Sequence, residues 1–427
     1  MKAVILAAGE GTRMYPLTCT CPKPLLPVSG KPVLRRILEG LKVSGVSEVL
    51  VVVGRHMDAV KEVLSGVGLR VEYVVQKRPQ GTAHAASLAE EFVGGEDFLL
   101  VNGDVLVPEP FYGKILNVFR HSGGNVVSLA RVDDVSSYGM VEVKDGRVVR
   151  IIEKPEKRVG GLVNAGIYAF TSEFFEELKK TPLSKRGEYE LTDTIQRMID
   201  RGAPVIPCEV EGWWVDIGYP WDLLRANELV MENKKEELVI HKSAKVEDGA
   251  TIHPPVHVGE ESTIKAGAYI EGPAYIGRGS VIGPNCYIRP YTSIGNYCHI
   301  GNACEIKNSI IMDGTNVAHL SYVGDSIIGE NVNLGAGTII ANLRFDGKNV
   351  ASTVKGRKID TGRRKMGAII GGNVKTGIGV MLMPGVMIGS NVMIGPGVVV
   401  TENVHQNTMV ILKQEIQKLQ LKETPSK

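Results

Sequence analysis

The glycine-rich stretch LAAGEGTRM at residues 6–14 directly follows an apolar run typical of a buried strand. Gly9 and Gly11 carry no side chains, so the backbone N–H groups of this loop can approach an anion closely. Met stands where a dinucleotide-binding loop has its third glycine, and the Gly-Lys-Ser/Thr ending of a Walker loop is absent. Arg13 lies within the loop, and Lys23 follows between two prolines that stiffen its presentation. The stretch therefore predicts a phosphate-binding loop of neither common type.

A second group of candidate residues lies in the other half of the chain, around His319. A lone histidine is more often a satisfied structural residue than a base, although its ordinary pKa suits proton transfer near neutral pH. Further along, residues 355–365 contain six basic side chains and one acidic side chain. This basic run needs a local explanation, because the net charge of the whole chain is only +2.

The elements around His319 are set by a six-residue repeat that occupies residues 246–410. An aliphatic residue returns at every sixth position, eleven times without a slip, up to Ile306. No helix has that period, whereas short parallel strands stacked into a β-helix do. The period slips after Ile306, disappears over 342–366 and then resumes, which predicts a loop extruded from the stack. A helix at 411–421 is predicted to close its open end.

The first half of the chain alternates strand-like and helix-like segments, which predicts a doubly wound parallel sheet with ligands at the carboxyl ends of its strands. Strands are predicted at 2–6, 49–53, 71–75 and 98–101, and helices at 31–43, 57–64 and 83–92. A strand-rich extension, antiparallel and closing over the site, is predicted from segments 126–132, 140–143, 148–152 and 162–170. The remaining predictions are helices at 172–179 and 190–201, a strand at 204–210, and a charged helical connector at 221–235.

Composition favours a two-domain globular protein, because 427 residues exceed the size of one core and the chain is 43% hydrophobic and 22% charged. No apolar run has the length of a membrane span, and the N-terminus does not read as a signal peptide, so we expect a cytoplasmic protein without membrane or nucleic-acid partners. The six cysteines show no Cys-X-X-Cys spacing. Three of them fall on the small inward position of the repeat, which predicts core thiols rather than metal ligands: Cys286, Cys298 and Cys304.

The segments at 6–18 and 22–32, LAAGEGTRMYPLT and PKPLLPVSGKP, resemble the signature of the sugar nucleotidyltransferase family. Further motifs of that family follow in its order and spacing: QGTAHA at 80–85, NGD at 102–104, YGM at 138–140, EKP at 153–155 and NAGIY at 164–168. The resemblance implies that a sugar-1-phosphate oxygen attacks the α-phosphorus of a nucleoside triphosphate and that pyrophosphate leaves. Such catalysis rests on positioning and charge stabilisation, without a protein nucleophile.

The resemblance assigns roles to individual side chains. Arg13 is expected to stabilise the leaving phosphates and Lys23 the phosphates on the attacking side, while Asp104 and Asp216 are expected to hold Mg²⁺ between the substrates. The phosphate loop contributes Gly9, Gly11 and Thr12; the base is expected to face Gln76, Gly81 and Thr82; and the sugar is expected to contact Gly139, Glu153 and Asn164. Glu153 and Asn164 have the alternative of being ordinary polar residues at strand ends. Core packing is favoured for Trp213 and Trp214.

The stretch HLSYVGDSIIGENVNLGAG at 319–337 resembles the acetyltransferase part of the bacterial bifunctional enzymes that acetylate glucosamine-1-phosphate and uridylylate the product. Six residues match positions of that acetyltransferase site: Arg289, Lys307, His319, Tyr322, Asn333 and Asn342. The resemblance implies that His319 is the base, that Arg289 and Lys307 hold the sugar phosphate, and that the others bond sugar hydroxyls or the amine. Acetyl-CoA is the implied donor. Lys348 and the basic run either reach phosphates of coenzyme A or the sugar from an adjacent subunit, or are solvated loop charge.

The YPLT loop and Asp216 resemble the glucose-1-phosphate thymidylyltransferases more than the bacterial bifunctional enzymes, so the nucleotide is UTP or dTTP. The combination resembles the archaeal bifunctional sugar-1-phosphate nucleotidylyltransferases/acetyltransferases. This resemblance implies a doubly wound α/β domain with a mixed sheet at 1–235 and a left-handed parallel β-helix at 236–427 that assembles as a trimer. Two alternatives are a glucose-1-phosphate thymidylyl- or uridylyltransferase whose β-helix serves only assembly or regulation, and a catalytically silent regulatory subunit. His319 argues against the first, and the intact Arg13 and Lys23 argue against the second.

Overall fold

The N-terminal half folds around one mixed sheet in the computed structural model, which describes residues 1–156, 158–233 and 237–421. The central path of this sheet runs Arg147–Glu153, Gly139–Lys144, Gly161–Phe170, Phe98–Asn102, Lys2–Ala7, Glu48–Val53 and Arg70–Val75. The last four of these strands are parallel, and Gly161–Phe170 runs antiparallel to Phe98–Asn102. The parallel half and the antiparallel extension expected from the sequence therefore form one continuous sheet.

The remaining elements of this half cover the sheet or extend it. Shorter or flanking strands are Pro27–Val28, Lys31–Pro32, Val105–Leu106, Asn125–Val132, Val205–Glu209 and Val215–Asp216. The helices are Val33–Val43, Met57–Leu64, Thr82–Ser87, Glu90–Val93, Pro110–Ser122, Phe174–Leu178, Leu191–Asp200 and Pro220–Glu232. The helix predicted at 83–92 is thus two short helices, and Pro110–Ser122 was not predicted. None of the helices in the described ranges is long and apolar enough to cross a membrane.

The C-terminal half is a parallel β-helix of the left-handed hexapeptide type, with three sheets of short strands. One sheet contains Leu238–Ile240, Val256–Val258, Ala274–Ile276, Thr292–Ile294, Ile310–Ile311, Ile327–Ile328, Ile369–Ile370 and Met387–Ile388. The second contains Lys245–Val246, Thr263–Ile264, Val281–Ile282, His299–Asn302, Asn316–His319, Asn333–Leu334, Lys375–Thr376, Met393–Ile394 and Met409–Val410. The third contains Thr251–His253, Tyr269–Glu271, Tyr287–Ile288, Glu305–Lys307, Tyr322–Gly324, Ile339–Ile340, Met381–Leu382 and Val399–Val400. We call them the docking sheet, the second sheet and the third sheet.

The aliphatic residue of each hexad points into the β-helix, and from Val258 to Val400 the stacked coils bury it almost completely, while Val246 and Ile252 in the first coil stay partly exposed. The slip after Ile306 is visible in the strand register. Tyr287 pairs with Glu305, but Ser293 pairs with Ile310, so the coil becomes one residue shorter at this point. The cysteines at the small inward positions are buried, as the repeat predicts: Cys286, Cys298 and Cys304.

The stretch without the repeat, 342–366, contains an antiparallel hairpin rather than a plain loop. Its strands are Ala351–Val354 and Arg357–Asp360, and its turn residues Lys355 and Gly356 have φ values of 50° and 73°. Two positive φ values in a two-residue turn match the right-handed twist of the flanking strands. We call Ala351–Asp360 the interdomain hairpin.

The closing helix predicted at 411–421 is wrong, because these residues form no regular secondary structure. Their apolar side chains are exposed: Ile411, Leu412, Ile416, Leu419 and Leu421. A helix of this length is marginal in water unless an apolar face is packed, and each of these side chains is more than half exposed. The domain boundary predicted at 235/236 and the last residues from 422 onward lie outside the described residues.

The docking sheet packs its outer face on the N-terminal domain. Four of its side chains belong to one buried apolar cluster with that domain: Ile310, Ile327, Ile369 and Met387. Asn227 donates a hydrogen bond to the Tyr291 carbonyl oxygen at 2.8 Å and accepts one from the Ser29 N–H at 2.8 Å. Arg363 forms an ion pair with Glu228 at 2.6 Å. The two domains therefore share a buried apolar core, and this interface fixes their relative position.

The β-helix also supports the segment between Arg13 and Lys23. A Cβ atom on Gly372 would lie 2.7 Å from Thr20 Oγ1, so only glycine allows this approach. Ser390 Oγ donates to the Pro16 carbonyl oxygen at 3.5 Å. Because of these contacts, the segment that presents Lys23 rests on the β-helix.

Candidate active sites

The phosphate loop connects the strand Lys2–Ala7 to a short 3-10 turn, Thr12–Met14. Gly11 has a φ of 63°, a conformation that favours glycine, and a Cβ there would lie 3.0 Å from the Cβ of Lys23. Thr18 Oγ1 donates to the Gly11 carbonyl oxygen at 3.1 Å. The loop and the Lys23 segment are therefore packed on each other, and Lys23 approaches the same space as the loop amides.

A cavity of about 640 Å³ lies at the carboxyl end of the parallel strands, where a doubly wound sheet places its ligands. Its lining brings together nine of the residues predicted from the sequence: Gly9, Gly11, Thr12, Arg13, Lys23, Gln76, Gly81, Thr82 and Asp104. A smaller cavity of about 180 Å³ adjoins it. That cavity shares Arg13, Thr82 and Asp104 with the first and adds Gly139, Glu153, Asn164 and Asp216. All residues predicted for the first reaction are thus lined up along two connected cavities.

The smaller cavity is lined by hydrogen-bonded polar groups. Glu153 Oε2 accepts from Thr192 Oγ1 at 3.2 Å, and Asn164 donates to the Tyr168 hydroxyl at 2.7 Å. Trp214 donates its indole N–H to the Ala165 carbonyl oxygen at 3.0 Å and also lines the cavity. The sequence favoured core packing for Trp214, but its side chain does both: it packs against the core and forms a wall of the site.

Asp104 and Asp216 sit on neighbouring chain segments. Val105–Leu106 pairs with Val215–Asp216, and the Ile217 N–H donates to the Asp104 carbonyl oxygen at 2.9 Å. Lys23 Nζ donates to Asp104 Oδ2 at 2.5 Å. Burial, followed by the negative charge of Asp104, raises the pKa of Asp216. Two acidic groups on paired segments, whose ionisation is opposed by burial and by their mutual repulsion, form a site that a cation stabilises.

The acidic pair fits Mg²⁺ by the chemistry of its donors. Mg²⁺ is held by one or two carboxylates together with water and substrate phosphates, rather than by a cage of protein ligands. The described residues contain no cluster of three or more His, Cys, Asp or Glu side chains with metal-ligand geometry. Beside the pair, Asn102 Oδ1 is buried without a hydrogen-bond partner in the described chain, which leaves an acceptor for a bound ligand.

Asp222 is a site residue that the sequence analysis missed. Its carboxylate accepts hydrogen bonds from the Gly218 N–H at 2.9 Å and the Tyr219 N–H at 2.6 Å. The Arg13 guanidinium lies 5.3 Å from the centre of the Tyr219 ring. Asp222 therefore fixes the turn on which Arg13 rests, and burial raises its own pKa to about 6. The available signal was its place three residues after a helix N-cap.

Three of the residues predicted in the β-helix, Lys307, Tyr322 and Asn342, form one hydrogen-bonded cluster around Asp325, a residue that the sequence did not predict. Asp325 is 2% exposed and accepts from Lys307 Nζ at 2.9 Å and from Asn342 Nδ2 at 2.6 Å. Asn342 Nδ2 also lies 3.1 Å from the Tyr322 hydroxyl, and Asn308 donates to the other Asp325 oxygen at 2.9 Å. We call Lys307, Asn308, Tyr322, Asp325 and Asn342 the aspartate cluster. It occupies the corner between the third sheet and the docking sheet.

Arg289 lies one coil before this cluster. It pairs with Glu305 at 2.8 Å, and its guanidinium lies 5.5 Å from the centre of the Tyr287 ring. Glu305 is in strand register with Tyr322. Arg289 Nε is buried without a hydrogen-bond partner among the described residues. The guanidinium is therefore held at the edge of the aspartate cluster with a donor still available.

His319 and Asn333 are not part of the aspartate cluster. His319 is the last residue of the strand Asn316–His319, and Asn333 is the first residue of the strand Asn333–Leu334. Both strands belong to the second sheet, and both residues are exposed. The His319 carbonyl oxygen accepts from Ser321 Oγ at 2.7 Å, but its ring has no hydrogen-bond partner in the described part of the chain. Lys348 lies in the extruded stretch, where its N–H donates to Asp346 at 3.2 Å. Within one chain, the third sheet separates His319 from the aspartate cluster.

Each half of the chain matches known families. Residues 2–233 match the nucleotidyl transferase family. Residues 270–364 match the GMPPB C-terminal domain, and residues 367–402 match the bacterial transferase hexapeptide (six repeats).

Similar proteins extend over nearly the whole chain. The bifunctional protein GlmU of Methanococcus maripaludis (strain C7) is 42% identical over 419 residues, which cover 97% of this chain and 98% of that protein. A bifunctional sugar-1-phosphate nucleotidylyltransferase/acetyltransferase of Sulfurisphaera tokodaii is 42% identical over 389 residues, covering 90% of this chain and 94% of that protein. A Bacillus anthracis protein whose structure carries the name glucose-1-phosphate thymidylyltransferase is 31% identical with a TM-score of 0.51, covering 56% of this chain and 98% of that one.

Proposed function

The chain belongs to the family of bifunctional sugar-1-phosphate nucleotidylyltransferases/acetyltransferases, and from this premise we propose which two reactions it catalyses. The β-helix transfers the acetyl group of acetyl-CoA to the amine of glucosamine-1-phosphate. The N-terminal domain then couples N-acetylglucosamine-1-phosphate to UTP, which gives UDP-N-acetylglucosamine and pyrophosphate. All six cysteines are free thiols, which fits an enzyme working in the reducing cytoplasm.

In the nucleotidyl transfer, the protein supplies positioning and charge. The amides around Gly9 and Gly11 face the phosphates of the nucleotide, and Arg13 opposes the charge that develops on departing pyrophosphate. Lys23 holds the phosphate of the attacking sugar beside Asp104. Glu153 and Asn164, which line the smaller cavity, bond the sugar hydroxyls. Asp104 and Asp216 would hold Mg²⁺, which would supply positive charge to neutralise the phosphates.

In the acetyl transfer, the ring of exposed His319 takes a proton from the ammonium group of the substrate. The neutral amine attacks the thioester carbon, the new C–N bond replaces the C–S bond, and coenzyme A leaves as the thiol after receiving a proton. Arg289 and Lys307 neutralise the sugar phosphate. Asn333, Asn342 and Tyr322 bond the sugar hydroxyls or the amine.

This second site needs another copy of the chain, because His319 and the aspartate cluster lie at different edges of the third sheet. The outer face of that sheet carries a ladder of aromatic and aliphatic side chains in strand register, interrupted only by Glu305 between its second and third members: Tyr269, Tyr287, Tyr322, Ile339, Met381 and Val399. A largely apolar column on a solvent-facing sheet, with its one carboxylate paired to Arg289, is typical of a subunit interface. We therefore propose a homotrimer in which this ladder is buried and neighbouring copies complete each acetyltransferase site.

The observation that carries the proposal is the presence on one chain of both the phosphate loop with its acidic pair and the aspartate cluster. The test is His319→Ala, with acetyl transfer and pyrophosphate release assayed on the same preparation. We expect acetylation of glucosamine-1-phosphate to collapse and pyrophosphate release from UTP and N-acetylglucosamine-1-phosphate to persist. Unchanged acetylation in the variant would refute the assignment.

A matched control is His299→Ala, because His299 lies one coil before His319 on the same sheet and burial lowers its pKa. This variant is expected to acetylate at the wild-type rate within a few-fold. The competing function is a glucose-1-phosphate thymidylyl- or uridylyltransferase with a β-helix used only for assembly. It predicts no acetylation by the wild type and faster turnover of glucose-1-phosphate than of N-acetylglucosamine-1-phosphate.

A further inference from the structure

The interdomain hairpin reaches from the β-helix into the nucleotide cavity of its own chain. Lys355, at the tip of the hairpin, lines the cavity of about 640 Å³ that also contains Gly9, Thr12 and Lys23. It also lines a neighbouring cavity of about 770 Å³ between the domains, together with its hairpin neighbours Val354 and Gly356. Gly9, Thr12 and Lys23 line that cavity as well. The outer wall of the phosphate loop is therefore formed by the other domain.

The hairpin is fixed in this position by contacts on both sides. Ser352 Oγ donates to the Gly385 carbonyl oxygen at 2.7 Å, and Asn403 Nδ2 donates to the Thr353 carbonyl oxygen at 3.0 Å. Val350 and Val354 are buried in the apolar cluster shared by the two domains. A tip held in this way presents its side chain to the cavity at little further cost in conformational entropy.

The positive charge of Lys355 is not neutralised by a partner among the described residues. The residue is exposed, and its ammonium group forms no ion pair or hydrogen bond with the described residues. Around the interdomain cavity the other charged groups are mainly basic: Lys23 (which is paired with Asp104), Arg55 and Lys77, with Glu10 as the acidic exception. Glu10 lies 4.0 Å from Arg55, which partly neutralises it. A surplus of positive charge beside an amide-lined loop is suited to the β- and γ-phosphates of a nucleotide.

We propose that Lys355 binds the terminal phosphates of the nucleoside triphosphate, so that the β-helix domain completes the nucleotide site of its own chain. In this arrangement the loop amides and Arg13 contact the triphosphate from the N-terminal domain, and Lys355 contacts it from the opposite wall. The basic run thus has a local function in nucleotidyl transfer. This inference depends on nucleotidyl transfer alone and does not require the acetyl transfer or the preference for UTP proposed above.

The test compares Lys355→Gln with Lys358→Gln, two neutral variants on one hairpin. Lys358 is exposed and lines a different cavity, beside Arg344 and Glu402, so it is the matched control for net charge. Initial rates of pyrophosphate release are measured against the concentration of whichever triphosphate, UTP or dTTP, the wild type uses. We expect Lys355→Gln to raise the KM for the triphosphate about tenfold and to leave the KM for the sugar phosphate unchanged. Lys358→Gln is expected to change neither by more than about twofold.

Two further readouts separate a phosphate contact from a structural role. Lys355→Arg is expected to restore the KM to within about threefold, because it keeps the positive charge. Inhibition by added pyrophosphate is expected to weaken in Lys355→Gln in the same proportion as triphosphate binding. An unchanged KM in Lys355→Gln, or an equal increase in both neutral variants, would overturn the proposal. Absence of turnover by the wild type with either triphosphate would instead count against the proposed function.

Discussion

The sharpest stability prediction concerns Asp325, the buried centre of the aspartate cluster. Its carboxylate accepts from three donors: Lys307 Nζ at 2.9 Å, Asn342 Nδ2 at 2.6 Å and Asn308 Nδ2 at 2.9 Å. In Asp325→Asn, the new NH₂ group must face at least one of these donors, because an amide accepts only through its oxygen. The substitution therefore removes a counter-charge and creates a clash between donors.

The magnitude follows from the burial of the two charged partners. Breaking a buried ion pair lowers the free energy of unfolding by about 3–5 kcal/mol when water does not reach the remaining charge. The side chain of Lys307 is 19% exposed, so water recovers part of that loss. We expect the free energy of unfolding of the β-helix to fall by about 2–3 kcal/mol. Displacement of Lys307 and Asn342 is also expected to lower kcat/KM for glucosamine-1-phosphate by about 100-fold.

The measurement is urea denaturation followed by circular dichroism, with acetyl transfer and pyrophosphate release assayed under native conditions. Asp346→Asn is the matched control, because Asp346 pairs with Arg344 at 2.6 Å but is 41% exposed. It is expected to leave the denaturation midpoint and both activities unchanged. If Asp325→Asn were as stable as this control and acetylated normally, the role assigned to the aspartate cluster would be refuted.

Three further substitutions test the subunit interface, the stacking of the coils and the titration of Asp222. Ile339→Asp, in the apolar ladder of the third sheet, is expected to yield monomers in light scattering and to lose acetylation but not pyrophosphate release; a trimer with full activity would contradict the interface. Gly301→Ala places a Cβ 2.0 Å from the Ala318 carbonyl oxygen, so the free energy of unfolding is expected to fall by about 2–3 kcal/mol, and an unchanged denaturation midpoint would count against the stacking. Burial raises the pKa of Asp222 from 3.8 to about 6, so folding favours its protonated form and this contribution is lost as pH rises through 6. Relative to Asp222→Asn, the wild type is therefore expected to lose about 1–2 kcal/mol of stability between pH 4.5 and pH 7.5 in parallel denaturation curves, and a constant difference would refute the shift.

The sequence predicted the β-helix well because its signal is local and repeated. Each aliphatic residue from Val246 to Ile306 occupies the same inward position of its hexad. The slip in the period corresponds to a coil that is one residue shorter. The strands and most helices of the N-terminal domain were likewise predicted to within a few residues. The predicted helix at 411–421 is wrong because its apolar side chains stay largely exposed, so little packing is available to stabilise a helix.

The functional contacts that the sequence did not predict join residues distant along the chain. Asp325 gave no pattern of its own, since an aspartate after a glycine is common at a turn, and only the stacking of coils brings it to Lys307 and Asn342. Lys355 was assigned to the sugar or coenzyme A, or to solvent, because the docking of the two domains is not encoded in any local period. Its place beside Gly9 follows from the docking interface.

The central claim is that one chain carries two separable active sites, and mixing two inactivated variants tests it most directly. His319→Ala and Asp104→Ala are each incubated with glucosamine-1-phosphate, acetyl-CoA, UTP and Mg²⁺, alone and together, and UDP-N-acetylglucosamine is measured by mass spectrometry. We predict that neither variant alone forms the product from glucosamine-1-phosphate. The mixture is predicted to form it, because acetylated intermediate released by Asp104→Ala is a substrate for His319→Ala. Product from His319→Ala alone, or none from the mixture, would contradict the account.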